Sequence, residues 1–333
     1  MKALRFLLAG CVAFYLVGLA GHICLAESIS EQKPRLAMLL LLQEMRQQAE
    51  RQRPGVIFVG NNGLELILSE DGKLNTGSNL FEGMLLESFF YGADMEDNKA
   101  TPEEHRLYLQ QSLRLFQQAG KTVFNIDYVS DSSLARRAYR QNREWEIVPM
   151  ISKERGLQAP PGAEAFCPSL STREVTFLRQ AKSLFVLLNP GRFANKEQFL
   201  KAMAGTNYDV LIVDPQYMGT YLQTEDVARL QKKESGERRL VLAYLSVGEA
   251  ETYRDYWQES WKNQPPSWLL EANPNWEENY RVRYWEEGWK DLLYKAPGSR
   301  LQRILTSGFD GVFLDVIDAY QVFEAEERKE IVE

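Results

Sequence analysis

Short apolar runs alternate with amphipathic stretches through most of the chain. The runs lie at 56–59, 83–90, 122–127, 146–150, 183–188, 209–214, 240–245 and 309–315. Most are continuously apolar, which is the pattern of strands buried on both faces in a parallel sheet. Between them helices are predicted at 35–53, 102–118, 133–141, 196–203, 224–233 and 299–306. Pro54-Gly55, Ala119-Gly120 and Ser307-Gly308 supply stop signals. Pro149 weakens the fourth run as a strand. Eight strands alternating with helices is the count of an α/β (β/α)8 TIM barrel. An open doubly wound sheet alternates in the same way, but no glycine-rich phosphate loop follows any run.

The alternation begins with a helix instead of a strand. Its stripe of Leu36, Leu39, Leu40 and Leu42 needs a place to be buried. The gap in an eight-helix ring lies beside the eighth strand. Residues 33–52 are therefore expected to pack between the first and eighth strands, with 55–59 running parallel to 309–315. Residues 33–333 then form one barrel domain. Its most linker-like segment is Ala159-Pro160-Pro161-Gly162-Ala163, and a long connection precedes the eighth strand.

The first residues follow another pattern. Lys2 and Arg5 open an acid-free apolar stretch over 4–26 that ends Cys24-Leu25-Ala26 before Glu27. This reads as a signal peptide at 1–26, placing the protein in the secreted, periplasmic or cell-envelope space. Retained, the same stretch is long enough to anchor the chain in a membrane. Its removal leaves Cys167 as the one cysteine and His105 as the one histidine. No internal disulfide or multi-histidine metal site can then form. A histidine-based triad would have to use His105, which follows the helix-capping sequence Thr101-Pro102-Glu103-Glu104. The formal charge of −7 gives no support to a nucleic-acid partner. No metal or cofactor is expected, a monomer is expected, and carboxylates must carry any chemistry.

In a barrel, catalytic groups stand at the C-terminal ends of strands. Asp127, Asp214 and Asp315 end the third, sixth and eighth runs. Glu65 and Glu249 follow the first and seventh, and Glu87 lies in the second. Any one of them reads more readily as a cap or ion pair. A ring of them on one face is different, because like charges in a cleft push pKa values apart. Six of the seven tryptophans, from Trp257 to Trp289, crowd the connection before the eighth strand. Aromatic faces beside carboxylates suit a sugar. Most of these rings are expected to form the core of the connection, with at most two or three touching a ligand.

Several segments resemble a known family. They are Ala243-Tyr244-Leu245-Ser246-Val247-Gly248-Glu249-Ala250-Glu251, Tyr253-Arg254-Asp255-Tyr256-Trp257, Asn273-Pro274-Asn275-Trp276, Val282-Arg283-Tyr284-Trp285 and the stretch 308–320 around Phe313-Leu314-Asp315. Over about 205–320 the chain is similar to glycoside hydrolase family 114, barrel proteins related to endo-α-1,4-polygalactosaminidase. Asn61-Asn62-Gly63-Leu64-Glu65, Glu87-Ser88-Phe89-Phe90-Tyr91-Gly92 and Phe124-Asn125-Ile126-Asp127-Tyr128 resemble later family segments, yet here they come first. The chain thus resembles a circular permutation, with 33–158 like the family's C-terminal half and 175–320 like its N-terminal half. The resemblance implies a retaining hydrolase of an amino-sugar polysaccharide, with Asp315 as nucleophile and Glu65 as acid/base. Leu64 stands where relatives often carry an acid. The same reading surrounds the substrate with Glu249, Asp214, Asp127, Glu87, Tyr244, Asn62, Asp318, Trp276 and Trp285. A non-catalytic polysaccharide-binding or cell-envelope barrel remains the alternative.

Overall fold

The computed structural model describes residues 34–69, 71–163, 166 and 170–332. The leader at 1–26, Cys167 and Glu333 lie outside the described residues. Eight parallel strands make the sheet: β1 (Ile57–Asn61), β2 (Gly83–Glu87), β3 (Thr122–Tyr128) and β4 (Val148–Ser152), then β5 (Leu184–Leu187), β6 (Val210–Val213), β7 (Leu240–Ser246) and β8 (Gly311–Asp315). Their hydrogen-bonded order is β4-β3-β2-β1-β8-β7-β6-β5. This is the cyclic order of a (β/α)8 barrel, nearly closed, with its seam between β4 and β5. Across the seam the Val186 N–H donates to Met150 Sδ at 3.2 Å. Pro149 sits in β4, at one end of the ladder, where a missing N–H is tolerated.

β1 pairs in parallel with β8 as the hydrophobic pattern requires, with Ile57 opposite Gly311 and Gly60 opposite Leu314. A Cβ at 311 would overlap the Ile57 carbonyl, so glycine is what lets these two strands approach. Outside the strands run α1 (Pro34–Gln52), α2 (Glu103–Gln118), α3 (Ser132–Glu144) and α4 (Lys196–Ala204), followed by α5 (Thr224–Leu230), α6 (Arg300–Thr306) and α7 (Tyr320–Val332). Asp131 caps α3 by accepting from the Ser133 and Leu134 N–H groups.

α1 packs against α6 and α7. Gln52 Nε2 donates to Thr306 Oγ1 at 3.2 Å at one end, and the Tyr284 hydroxyl donates to the Pro34 carbonyl at 2.8 Å at the other. Arg46 pairs with Glu82, just ahead of β2. The helix thus covers the barrel beside β8 and β1. Its buried face differs from the expected stripe. Ala37, Met38, Leu41, Leu42, Met45 and Ala49 are buried, Leu39 and Leu40 only partly so, and Leu36 is exposed. The period of 3.6 residues running through Met38, Leu42, Met45 and Ala49 places Leu36 on another face.

The connection before β8 carries an antiparallel sheet in the order Glu249–Glu251, Trp276–Val282, Leu269–Asn273. Beneath it Tyr256, Trp257, Trp261, Trp268 and Trp289 pack ring to ring. Trp289 is fully buried, and its indole N–H donates to the Val247 carbonyl at 2.9 Å. Most of the aromatic residues therefore form the connection's own core, as expected. Among the described residues no helix is long and apolar enough to cross a membrane.

Candidate active site

A cavity of about 810 Å³ opens at the C-terminal ends of the strands. β1, β2 and β8 end there in Asn61, Glu87 and Asp315. Each is followed by a non-glycine residue in the left-handed region: Asn62 at φ 53°, Ser88 at φ 57° and Val316 at φ 58°. For a β-branched residue such as Val316 this conformation is strained, costing on the order of 1–3 kcal/mol. The three turns reverse the chain sharply, so that the preceding side chain stays in the cavity.

Asn61 joins the two carboxyl groups. Its Nδ2 donates to Glu87 Oε1 and to Asp315 Oδ1, each at 2.8 Å. The Val316 N–H also donates to Asp315 Oδ1, at 2.9 Å, and the Tyr244 hydroxyl to Oδ2, at 3.0 Å. The Tyr128 hydroxyl donates to Glu87 Oε2 at 2.7 Å. Burial, then the charge of Glu87, pushes the Asp315 carboxyl up to about 6 against these donors. Asp318 is pushed up to about 7, by burial first, then by Asp315, with smaller contributions from Glu87 and Glu249.

Glu249 is buried, and its oxygens accept from Asn273 at 2.7 Å and Asn279 at 3.0 Å. Asp214 is paired with Arg254, which also grips Glu251. Trp276, about half exposed, stands at the rim. Carboxylates from Glu87, Asp214, Glu249, Glu277, Glu278, Asp315 and Asp318 line the cavity, and among the described residues its lining cations are Arg155 and Arg254. Among the described residues no group of three or more His, Cys, Asp or Glu side chains is placed to hold a metal ion.

The structure thus gathers Asp315, Glu87, Glu249, Asp214, Tyr244, Asn62, Asp318 and Trp276 in one cavity. Three residues expected at the site lie outside the cavity lining. Glu65 does not line it. The chain turns away after Asn62, packing Leu64 and Leu66 inside, and Glu65 Oε2 accepts from Gln321 at the start of α7. Asp127 is fully buried behind the cavity. Its oxygens accept from the Phe90 and Tyr91 N–H groups and from Asn142, so it fixes the segment after β2. Trp285 packs on Tyr284 and Phe323, away from the cavity. Reading the sequence missed Asn61, Tyr128, Arg155 and Arg254. Asn61 and Tyr128 each end a strand, which is the positional signal that could have found them.

The fold and this acid-lined mouth define a (β/α)8 barrel with a carboxylate-rich cavity at the C-terminal ends of its strands. Residues 199–331 match the family model of glycoside-hydrolase family GH114, which supports the resemblance. The chain is 38% identical to an uncharacterized protein of Deinococcus radiodurans over 123 residues, 37% of each chain. With an uncharacterized protein of Methanocaldococcus jannaschii it shares 32% over 167 residues, 46% of this chain and 45% of the other. An uncharacterized protein of Thermotoga maritima is 42% identical over 85 residues, 26% of this chain and 25% of its own. Each match spans less than half the length of the relative.

Proposed function

We propose that this chain is a retaining glycoside hydrolase of an amino-sugar polysaccharide, with Glu87 and Asp315 as its two carboxyl groups. The shared donor carries the reading. An oxygen of each carboxyl lies 2.8 Å from Asn61 Nδ2, so the two are separated by at most twice that distance. Retaining enzymes hold their carboxyl groups about 5–5.5 Å apart, inverting ones about 6.5–9.5 Å. Asp315, which receives three hydrogen bonds, attacks the anomeric carbon. Glu87 protonates the departing glycosidic oxygen, then takes a proton from the water that releases the sugar. A protonated amino sugar suits a cavity lined mainly by carboxylates, and Trp276 offers a ring face at its rim.

The apolar leader would deliver the protein outside the cytoplasm. A permuted chain order belongs to the same reading, since the family model covers 199–331 while segments like the family's later ones stand at 61–128. The test is incubation with partly deacetylated galactosamine and glucosamine polymers, followed by assay of new reducing ends. Glu87→Gln and Asp315→Asn should each lower the rate by roughly 10²–10⁴-fold, while Glu65→Gln keeps most of it. Loss in the Glu65 variant with the Glu87 variant spared would overturn the pair. No product from either polymer would favour the binding-protein alternative.

A further inference from the structure

A chain of contacts crosses the mouth and reads alike from either end. Asn61 of β1 stands at its centre, donating to Glu87 of β2 on one side and to Asp315 of β8 on the other. Each carboxyl accepts from a tyrosine hydroxyl on the next strand, Glu87 from Tyr128 of β3 at 2.7 Å and Asp315 from Tyr244 of β7 at 3.0 Å. Each tyrosine in turn carries an arginine on its ring. The Arg155 guanidinium lies 4.3 Å from the centre of the Tyr128 ring, and that of Arg254 lies 5.6 Å from the centre of the Tyr244 ring.

The two arginines differ in what holds them. Arg254 is buried and paired with the buried Asp214 and Glu251, a structural task that accounts for it. Among the described residues Arg155 has no buried acid as partner. Its Nε stands 3.2 Å from Asp97 Oδ1, on a side chain 39% exposed, and its Nη2 donates to the Gly92 carbonyl at 2.6 Å. An exposed ion pair contributes little. Gly92, at φ 113°, leaves the room this arginine needs, since a Cβ there would stand 3.1 Å from Arg155 Nη2 and 3.2 Å from Tyr128 Cβ. The cation is thus set on the face of a buried tyrosine. A cation on a phenol face draws charge out of the ring and makes the hydroxyl the stronger donor. A donor to the ionised carboxylate favours that form. Burial and then Glu87 push the Tyr128 hydroxyl well up, and Arg155 opposes them.

We propose that Arg155 is a positioning residue for Glu87, acting through the Tyr128 ring. Its effect on a reaction rate rests on the hydrolase reading, whereas its hold on the carboxyl does not. Asn61 Nδ2 donates toward both carboxyls, so its two side-chain amide protons report the two sides separately. They are followed by NMR in asparagine-labelled protein without ligand and assigned by their loss in Asn61→Asp. Tyr128→Phe should shift the proton that faces Glu87. Arg155→Gln should shift the same proton in the same direction and leave the one that faces Asp315 in place. With Tyr128→Phe already present, Arg155→Gln should add less than half the shift it causes in the parent. Should Arg155→Gln fail to fold, Asp97→Asn, which frees Arg155 of its opposing charge, must move that proton the opposite way. In polymer hydrolysis Arg155→Gln should lower kcat by roughly tenfold with KM little changed. Absence of hydrolysis would end the hydrolase reading and leave the amide shifts to decide this one. Additive shifts, no shift, or a raised KM over an unmoved Asn61 resonance overturns the proposal.

Discussion

Asp315 is held where its charge is least welcome. It is buried beside Glu87, and its carboxyl stands at about 6, with Asp318 nearby at about 7. In the unfolded chain both would release their protons near pH ~3.9. Between about pH 4 and 7 the folded protein therefore binds more protons than the unfolded one. The stability these groups contribute is fully present below the unfolded value and is lost as pH rises through the folded values. The slope is at most about 1.4 kcal/mol per pH unit for each group. Asp315→Asn removes the charge and keeps an oxygen to accept from Asn61 and the Val316 N–H. Thermal melts should show this variant more stable than the parent at pH 7.5, with the gap closing toward pH 4.5. A gap that does not change with pH would mean that Asp315 is not the group under strain.

At the scale of elements, α1 carries a sharp contrast. Leu42 is fully buried on the barrel wall, and Leu36, six residues earlier on the same helix, is exposed. Leu42→Ala should cost about 2–5 kcal/mol in denaturant unfolding. Leu36→Ala should change stability by less than about 0.5 kcal/mol. Comparable losses would mean that the helix packs in another rotation. All eight strands were legible as apolar runs, but the runs at 56–59, 122–127, 146–150 and 240–245 stop one or two residues short of the strand ends. The fourth run reads as 146–150, whereas β4 is Val148–Ser152, and the first stops at 59, whereas β1 continues through Asn61. The cause is the chemistry of the mouth. Polar residues that finish these four strands look like loop to a hydrophobic pattern, and Asn61 and Tyr128 among them line the cavity. Glu87 and Glu65 illustrate what spacing cannot supply. Both follow or end an early strand, and only the local backbone turns one into the cavity and the other toward Gln321.

At the scale of the molecule, the ring order of the strands does not require the chain to begin at any one of them. β1 meets β8 in parallel register, and α1 packs against α7 where Arg35 faces Glu324 at 3.3 Å. The start of α1 is therefore next to the first turns of α7. Between Glu324 and Val332, α7 advances about 12 Å at 1.5 Å per residue. A flexible linker of about ten residues, with a typical span of roughly 16–19 Å, covers that distance. The opposite side of the barrel offers a place to open the chain. Residues 159–163 are partly or fully exposed, and they lie near the β4–β5 seam, where the strand ladder is already interrupted. A chain running 164–332, linker, 34–163 should therefore fold into the same barrel, since it keeps every strand pair, keeps Phe166 against Ile151 and Tyr139, and opens the chain at the end of the partly exposed stretch 159–163. Its far-ultraviolet circular dichroism and its unfolding cooperativity should match those of the parent. If reducing-end activity is present in the parent, it should survive, because Asn61, Glu87 and Asp315 are brought together by β1, β2 and β8 in either order. Failure to fold, with the linker lengthened to twenty residues as a control, would mean that chain order, and not strand neighbourhood, specifies this barrel.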